Sequence, residues 1–318
     1  MIHYWIDPDQ LVDLVFVHSR GFAEQFSKDA DDSTKERSIY QHHLQIEKSE
    51  LIEIIEVAAG ITKFKPFGVG VELGAGCAAV SVELAKKYSS IEKIYAVEIV
   101  PEIVEYAAVG MIQLNDVVDR VIPVLGDFDS IKLESDSVDF IVEFDSLHHS
   151  FNLDRTVAES GRILKTGSQM LVIDRSHWNT SSRRRNELEN QVYSNNWLAE
   201  RGMDIDKKIT RAENGEHEYL LSEYLAAFQK AHFSNVQWFF LLDPGFSILK
   251  LSLISSISSR LRKGTRYSYV HTWPLRKLII PVILMKMFKF NQVGRFVNCP
   301  RELGSKRFQA KTVLLATK

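Results

Sequence analysis

Val71-Glu72-Leu73-Gly74-Ala75-Gly76-Cys77-Ala78-Ala79 reads as a buried strand that runs into a glycine-rich turn and opens a helix. Gly74 and Gly76 allow backbone angles and a closeness of ligand approach that a Cβ forbids, and a helix starting near Ala78 points its unpaired N–H groups back at the turn. Such a turn seats a cofactor. Its spacing leaves the cofactor open, because Gly74-x-Gly76-x-x-Ala79 also fits the dinucleotide fingerprint, with Glu98 22 residues past Gly76 where a ribose-binding acid belongs. The acid at Glu72 is a second signal, since a carboxylate inside an apolar strand is costly to bury without a partner.

Outward from this stretch comes an ordered series of apolar strands: Ile94-Tyr95-Ala96-Val97-Glu98, Val124-Leu125-Gly126-Asp127-Phe128, Val138-Asp139-Phe140-Ile141-Val142-Glu143-Phe144-Asp145-Ser146-Leu147-His148-His149 and Arg162-Ile163-Leu164-Lys165-Thr166-Gly167-Ser168-Gln169-Met170-Leu171-Val172-Ile173. Taken together these segments resemble the class I S-adenosylmethionine-dependent methyltransferases from about Phe67 to Trp178, and more weakly to Asp243 and at the C-terminus. Thr166 and Ser168 depart from the family's proline and second glycine in a structural turn. The resemblance implies S-adenosylmethionine as cofactor and S-adenosylhomocysteine as product, with Glu72, Gly74 and Gly76 at the cofactor turn. It implies that Glu98, with Ile99, holds the ribose hydroxyls, that Asp127 accepts from the adenine amino group beside Phe128, and that Asp145 contacts the methionine amino group or orients a histidine. Without it, Glu98 reads as an ordinary strand-end carboxylate, Asp127 as a cap and Cys77 as a small buried filler.

Strands alternating with helical stretches indicate an α/β fold, a Rossmann-like, mostly parallel sheet flanked by helices, with the last strand antiparallel. Gly74, Glu98, Asp127 and Asp145 all fall at strand ends, where ligands bind in such sheets. The expected divisions are an N-terminal helical cap over 1–66, a core over 67–245 with a helical excursion at about 179–215, an insertion over 246–308 and a final core strand over 309–318. Within the cap, the charged run from Ser27 to Lys35 reads as a loop, and a helix from Leu51 reads as stopped by Gly60.

With 318 residues and 45% hydrophobic content the chain can bury a full core. Two cysteines far apart in sequence give no disulfide framework, and the N-terminus lacks the basic and apolar regions of a secretory signal, so a cytoplasmic protein is expected. Residues 246–308 carry thirteen Lys and Arg against one acid, Glu302, for a formal charge of +12 in a chain whose total is −2. Interleaved with Phe246, Leu249, Trp273, Ile279 and Phe288, this excess suggests an anionic membrane surface or a lipid-linked substrate, and peripheral membrane association. A cap or a homodimer element paired with the acidic remainder is the competing reading; nucleic acid has no accompanying motif. The longest apolar run there, residues 278–285, is far short of the roughly 20 needed to span a bilayer.

A sulfonium methyl is already activated, so transfer depends on positioning the acceptor in line, and a hydroxyl acceptor also needs its proton removed. Histidine suits that task. The candidates are His148 and His149 after the fourth strand, His177 after the fifth, and His217; His149 reads equally as a packing residue. No His, Asp and Glu cluster at a recognisable metal spacing occurs along the chain, and no metal is expected. The expected activity is methylation of a hydroxyl on a small molecule or sugar, in glycan or secondary-metabolite biosynthesis. The alternatives are N-methylation of a small amine, or a non-catalytic cofactor-binding or scaffold protein.

Overall fold

The computed structural model describes residues 1–6, 31–47, 51–175, 182–199, 205–206, 208–242, 296–298 and 311–318. They belong to two compact units, one of residues 1–237 and 314–318, the other of 238–313. The strands are β1 (His3–Tyr4), β2 (Gly68–Leu73), β3 (Ile91–Glu98), β4 (Val121–Leu125), β5 (Val138–Phe144), β6 (Leu164–Asp174), β7 (Ser234–Leu242), β8 (Phe296–Asn298) and β9 (Lys311–Thr317); β1 to β6 lie in the larger unit and β8 in the smaller, while β7 is divided after Gln237 and β9 before Leu314.

The strands of the larger unit run in the order β1-β4-β3-β2-β5-β6, followed by β9 and β7. Strands β1 to β6 pair in parallel, with β2 at the centre between β3 and β5. Its residues Val71 and Leu73 are fully buried, as are Ile94, Val97, Ile141, Val142, Leu171 and Val172 on the neighbouring strands. Near-continuous apolar runs of this kind suit parallel strands covered on both faces. Strand β9 runs antiparallel: Gly167 N–H donates to the Lys318 carbonyl at 2.9 Å and Lys318 N–H to Ser168 at 3.0 Å, which joins the end of the chain to the start of β6. Within the smaller unit, β7 continues in parallel pairing with β8 from Phe240 opposite Phe296 to Leu242 opposite Asn298. The basic residues of 246–308 lie outside the described residues except Phe296–Asn298, which carry none.

The helices are α1 (Asp32–Glu47), α2 (Leu51–Thr62), α3 (Ala79–Lys87), α4 (Val109–Leu114), α5 (Leu153–Ile163), α6 (Ser182–Glu189), α7 (Asn195–Ala199) and α8 (Leu221–Lys230). Pro101 stands in the first turn after β3, and a π-helical stretch, Ile103–Ala108, leads into α4. Arg120 locks α3 to the sheet by donating to the carbonyls of Tyr88 at 2.6 Å and Ile91 at 2.8 Å. Helix α5 is capped by Asn152, whose side chain accepts from Arg155 N–H at 3.1 Å, and α8 packs on it.

Three local features differ from the sequence reading. The stretch expected to be helical contains β1, an edge strand followed by buried Trp5, whose N–H donates to Leu125 O at 2.8 Å. The charged run from Ser27 does not stay a loop: α1 begins at Asp32, because Asp31 accepts from Thr34 N–H at 2.8 Å and acts as its N-cap. Helix α2 passes through Gly60 to Thr62, where packing of Ile54, Ile55, Ala58 and Ala59 outweighs the weak helix propensity of glycine.

Candidate active site

One carboxylate ties the turn after β2 to the turn after β3 through three hydrogen bonds. Glu98, at the end of β3, accepts from Gly76 N–H at 2.9 Å through Oε2, and from Ile99 N–H at 2.8 Å and Val100 N–H at 3.1 Å through Oε1. Burial nonetheless pushes its pKa up. Gly74 has φ +64, and a Cβ there would lie 2.3 Å from Ser146 Cβ. Gly76 has φ +51 with nothing within 4 Å of the same position, so a ligand can approach the backbone there. The two glycines therefore serve different ends, Gly74 for packing and Gly76 for access.

Glu72 lies beneath this turn. Its Oε2 accepts from Ser81 N–H at 2.9 Å and from the Ser81 hydroxyl, which ties β2 to α3, and burial pushes its carboxyl up to about 8. Cys77 packs against Val100, Ile103 and Ala107, and burial raises its thiol to about 12, as befits a filler. Asp127 accepts from Asp129 N–H at 2.9 Å in the turn after β4, where Trp5 covers Gly126. Phe128 reaches within 3.6 Å of the Gly74 Cβ position. Glu98, Ile99, Asp127 and Phe128 are thus gathered around one end of the sheet, at the carboxyl ends of β3 and β4.

A second turn, after β5, is fastened to the first. Ser146 Oγ donates to Leu73 O at 2.7 Å, and Glu143 Oε1 accepts from Leu147 N–H at 2.8 Å. Glu143 is fully buried with Oε2 unpartnered, and burial, aided by the charge of Asp174, pushes its pKa well up. The next residues are His148, buried, and His149, half-buried, with ring centroids 4.1 Å apart.

His148 is held by Asp174, the last residue of β6. The carboxylate meets His148 Nδ1 at 2.6 Å and also accepts from His148 N–H at 2.8 Å, Arg175 N–H at 2.7 Å and the Tyr224 hydroxyl at 2.9 Å. An ionised carboxylate can only accept, so Nδ1 carries a hydrogen, and in the neutral ring the lone pair is then on Nε2. His149 is held alike, its Nδ1 3.0 Å from the Gly215 carbonyl. Asp145, expected to orient a histidine, is exposed at φ +55, while its carboxylate lies within 4.8 Å of donor atoms of His148 and Asp174. His177 lies outside the described residues.

The wall opposite comes from 208–220. Glu216 is paired with Arg175 and with Arg211 at 3.1 Å; burial alone would raise its carboxyl, but Arg175, the two histidines and Arg211 hold it at about 2. His217 N–H donates to His148 O at 3.1 Å, and its ring meets the edge of exposed Phe151 at 5.3 Å. Burial pushes the His217 pKa down, and its Nε2 is unpartnered. An open groove lined by Phe151, Asp154, Tyr219, Glu223 and Lys230 lies alongside. Asp174, Tyr224 and Glu216 were not legible as partners of His148 and His149 in the sequence; the only trace was an acid at a strand end and the run Glu216-His217-Glu218.

Residues 71–172 match the family model described as a methyltransferase domain. Among curated proteins, none matches the chain in sequence. Similar solved structures include the YcgJ protein of Bacillus subtilis, 18% identical, with a TM-score of 0.47 over 83% of this chain and 98% of that one. The [4+2]-cyclase SpnF is 14% identical, with a TM-score of 0.48 over 83% of this chain and 80% of its own. Phosphoethanolamine N-methyltransferase 2 of Haemonchus contortus, in complex with S-adenosyl-L-methionine, is 13% identical, with a TM-score of 0.44 over 83% of this chain and 52% of that one.

Proposed function

We propose that this chain, a class I S-adenosylmethionine-dependent methyltransferase with its methyltransferase domain at 71–172, methylates a hydroxyl group of a small molecule or sugar. The observation that carries the hydroxyl reading is the pair His148 and His149 on a turn hydrogen-bonded to β2, each with Nδ1 held by an oxygen, which in the neutral ring makes Nε2 the basic nitrogen. An already neutral amine needs no such arrangement.

Bound S-adenosylmethionine supplies a sulfonium methyl group that transfers by in-line displacement. The residues present fit that cofactor. Glu98, its carboxylate fixed by three backbone N–H groups, would take the ribose hydroxyls, Asp127 and Phe128 the adenine, and Gly76 would let the chain's backbone lie close. Asp145, exposed in the turn after β5, would meet the methionine amino group. The acceptor would enter on the side of Phe151 and His217 and have its hydroxyl activated for loss of the proton at the histidine pair. Activation there would bring about 10²–10⁴-fold to the rate.

For the acceptor class, the basic and apolar segment 246–308 supports a molecule with an anionic head and an apolar part, a lipid-linked glycan above all, reached at the membrane surface. Among the described residues no helix is long and apolar enough to cross a membrane.

The test is calorimetric titration with S-adenosylmethionine, S-adenosylhomocysteine and NADH, followed by transfer of labelled methyl groups to matched panels of sugar hydroxyls and small amines. Micromolar binding of the first two and an alkali-stable methyl ether as product are expected. Label found only on amines would replace the hydroxyl reading by N-methylation, and binding without any product would favour a scaffold.

A further inference from the structure

We propose that His148, His149 and Glu216 form a binding site for one divalent first-row metal ion, which holds the acceptor hydroxyl. One donor atom from each of the three lies within 4.8 Å of the other two. A cation about 2.1 Å from each ligand needs donors roughly 3 to 3.5 Å apart, so short side-chain rotations close the site.

What surrounds the three residues is what a metal-binding histidine requires. A ligating imidazole donates its other N–H to a carboxylate or a backbone carbonyl, which fixes the tautomer and raises the basicity of the ligating nitrogen. His148 does this to Asp174 at 2.6 Å, His149 to the Gly215 carbonyl at 3.0 Å. Asp174 is itself fixed by Tyr224 at 2.9 Å and by two backbone N–H groups. Both arginines on Glu216 bond to Oε2, so the carboxylate is oriented and charge-balanced on one side and presents Oε1 on the other. Asp145, whose carboxylate is within 4.8 Å of His148 and Asp174 donor atoms, adds negative charge beside the site. Two imidazoles and a carboxylate suit zinc, iron(II), manganese(II) or cobalt(II), and three protein ligands leave positions for an acceptor oxygen.

This inference rests on the hydroxyl reading for its chemistry, though not for binding. With the ion in place the two histidines act as ligands. The coordinated hydroxyl loses its proton to solvent; its oxygen forms the O–CH3 bond while the S–CH3 bond breaks and its electron pair stays on sulfur. Ether, thioether and one proton result.

The experiment uses the full chain, stripped with a chelator and titrated with Zn²⁺ by calorimetry and with Co²⁺ by visible absorption. One equivalent with a Co²⁺ ligand-field band is expected, weakened at least tenfold in His149→Ala and in Glu216→Gln. The glutamine keeps the acceptor oxygen for Arg175, and circular dichroism and S-adenosylmethionine affinity serve as fold controls. No Co²⁺ band, or equal metal affinity in well-folded variants, overturns the site. Metal binding without hydroxyl methylation supports the site and removes only the acceptor reading. Hydroxyl methylation that survives chelation in metal-free protein overturns the ion's hold on the acceptor and leaves that reading intact.

Discussion

Glu98 and Glu72 show how one residue type takes two roles from its position on a strand. Glu98, at the strand end, gathers three N–H groups, one of them from Gly76, beside which a ligand has room. Glu98→Ala should therefore weaken S-adenosylmethionine binding more than tenfold in calorimetry with the circular dichroism spectrum unchanged; unchanged affinity would remove the ribose assignment. Glu72, 2% exposed, bonds inward to Ser81 and has its carboxyl raised from 4.5 to about 8 by burial. A raised folded-state pKa means that the folded protein holds this proton more tightly than the unfolded chain does. The stability it contributes is complete below about pH 4.5 and is lost as pH rises towards 8, by an amount on the order of a few kcal/mol. Glu72→Gln should flatten the fall in melting temperature between pH 5 and pH 8. A variant with the wild-type slope would show that Glu72 titrates normally.

At the scale of elements, the turn after β5 is a joint between four pieces of chain: β2 through Leu73 O, β5 through Glu143, β6 through Asp174 and α8 through Tyr224. Helix α8 is remote in sequence from β5, yet its buried tyrosine fixes the carboxylate that fixes His148. Tyr224→Phe keeps the ring's packing and removes one donor to Asp174, at a cost of about 1 kcal/mol in stability. Turnover should fall several-fold while S-adenosylmethionine affinity stays unchanged, as single-turnover kinetics and calorimetry would show. A loss in both would mean that the tyrosine supports the whole fold instead.

For the molecule as a whole, charge is divided unequally: residues 246–308 carry +12 and the rest −14. If that segment meets an anionic surface, binding to phosphatidylglycerol vesicles should fall steeply between 50 and 300 mM salt, since screening over about 10 Å already operates at 0.1 M. Binding that ignores salt, or none, would favour a cap or dimer element. The parallel sheet, the glycine turn and the places of Glu98 and Asp127 were legible in the sequence, because strand periodicity and turn chemistry are local: the residues that cause them are neighbours in the chain. Short β1 escaped notice since two strand residues have no periodicity, although the aromatic run His3-Tyr4-Trp5 is β-prone. The partners of the histidine pair could not be read at all. Asp174 is 26 residues from His148, Gly215 66 from His149, and Tyr224 50 from Asp174. The sequence by itself determined the class of fold and the glycine-rich turn after its central strand. Only the tertiary structure decided which carboxylates face which histidines, because hydrogen bonds and charge pairing depend on distance in space, and crossovers between parallel strands set that distance independently of separation along the chain.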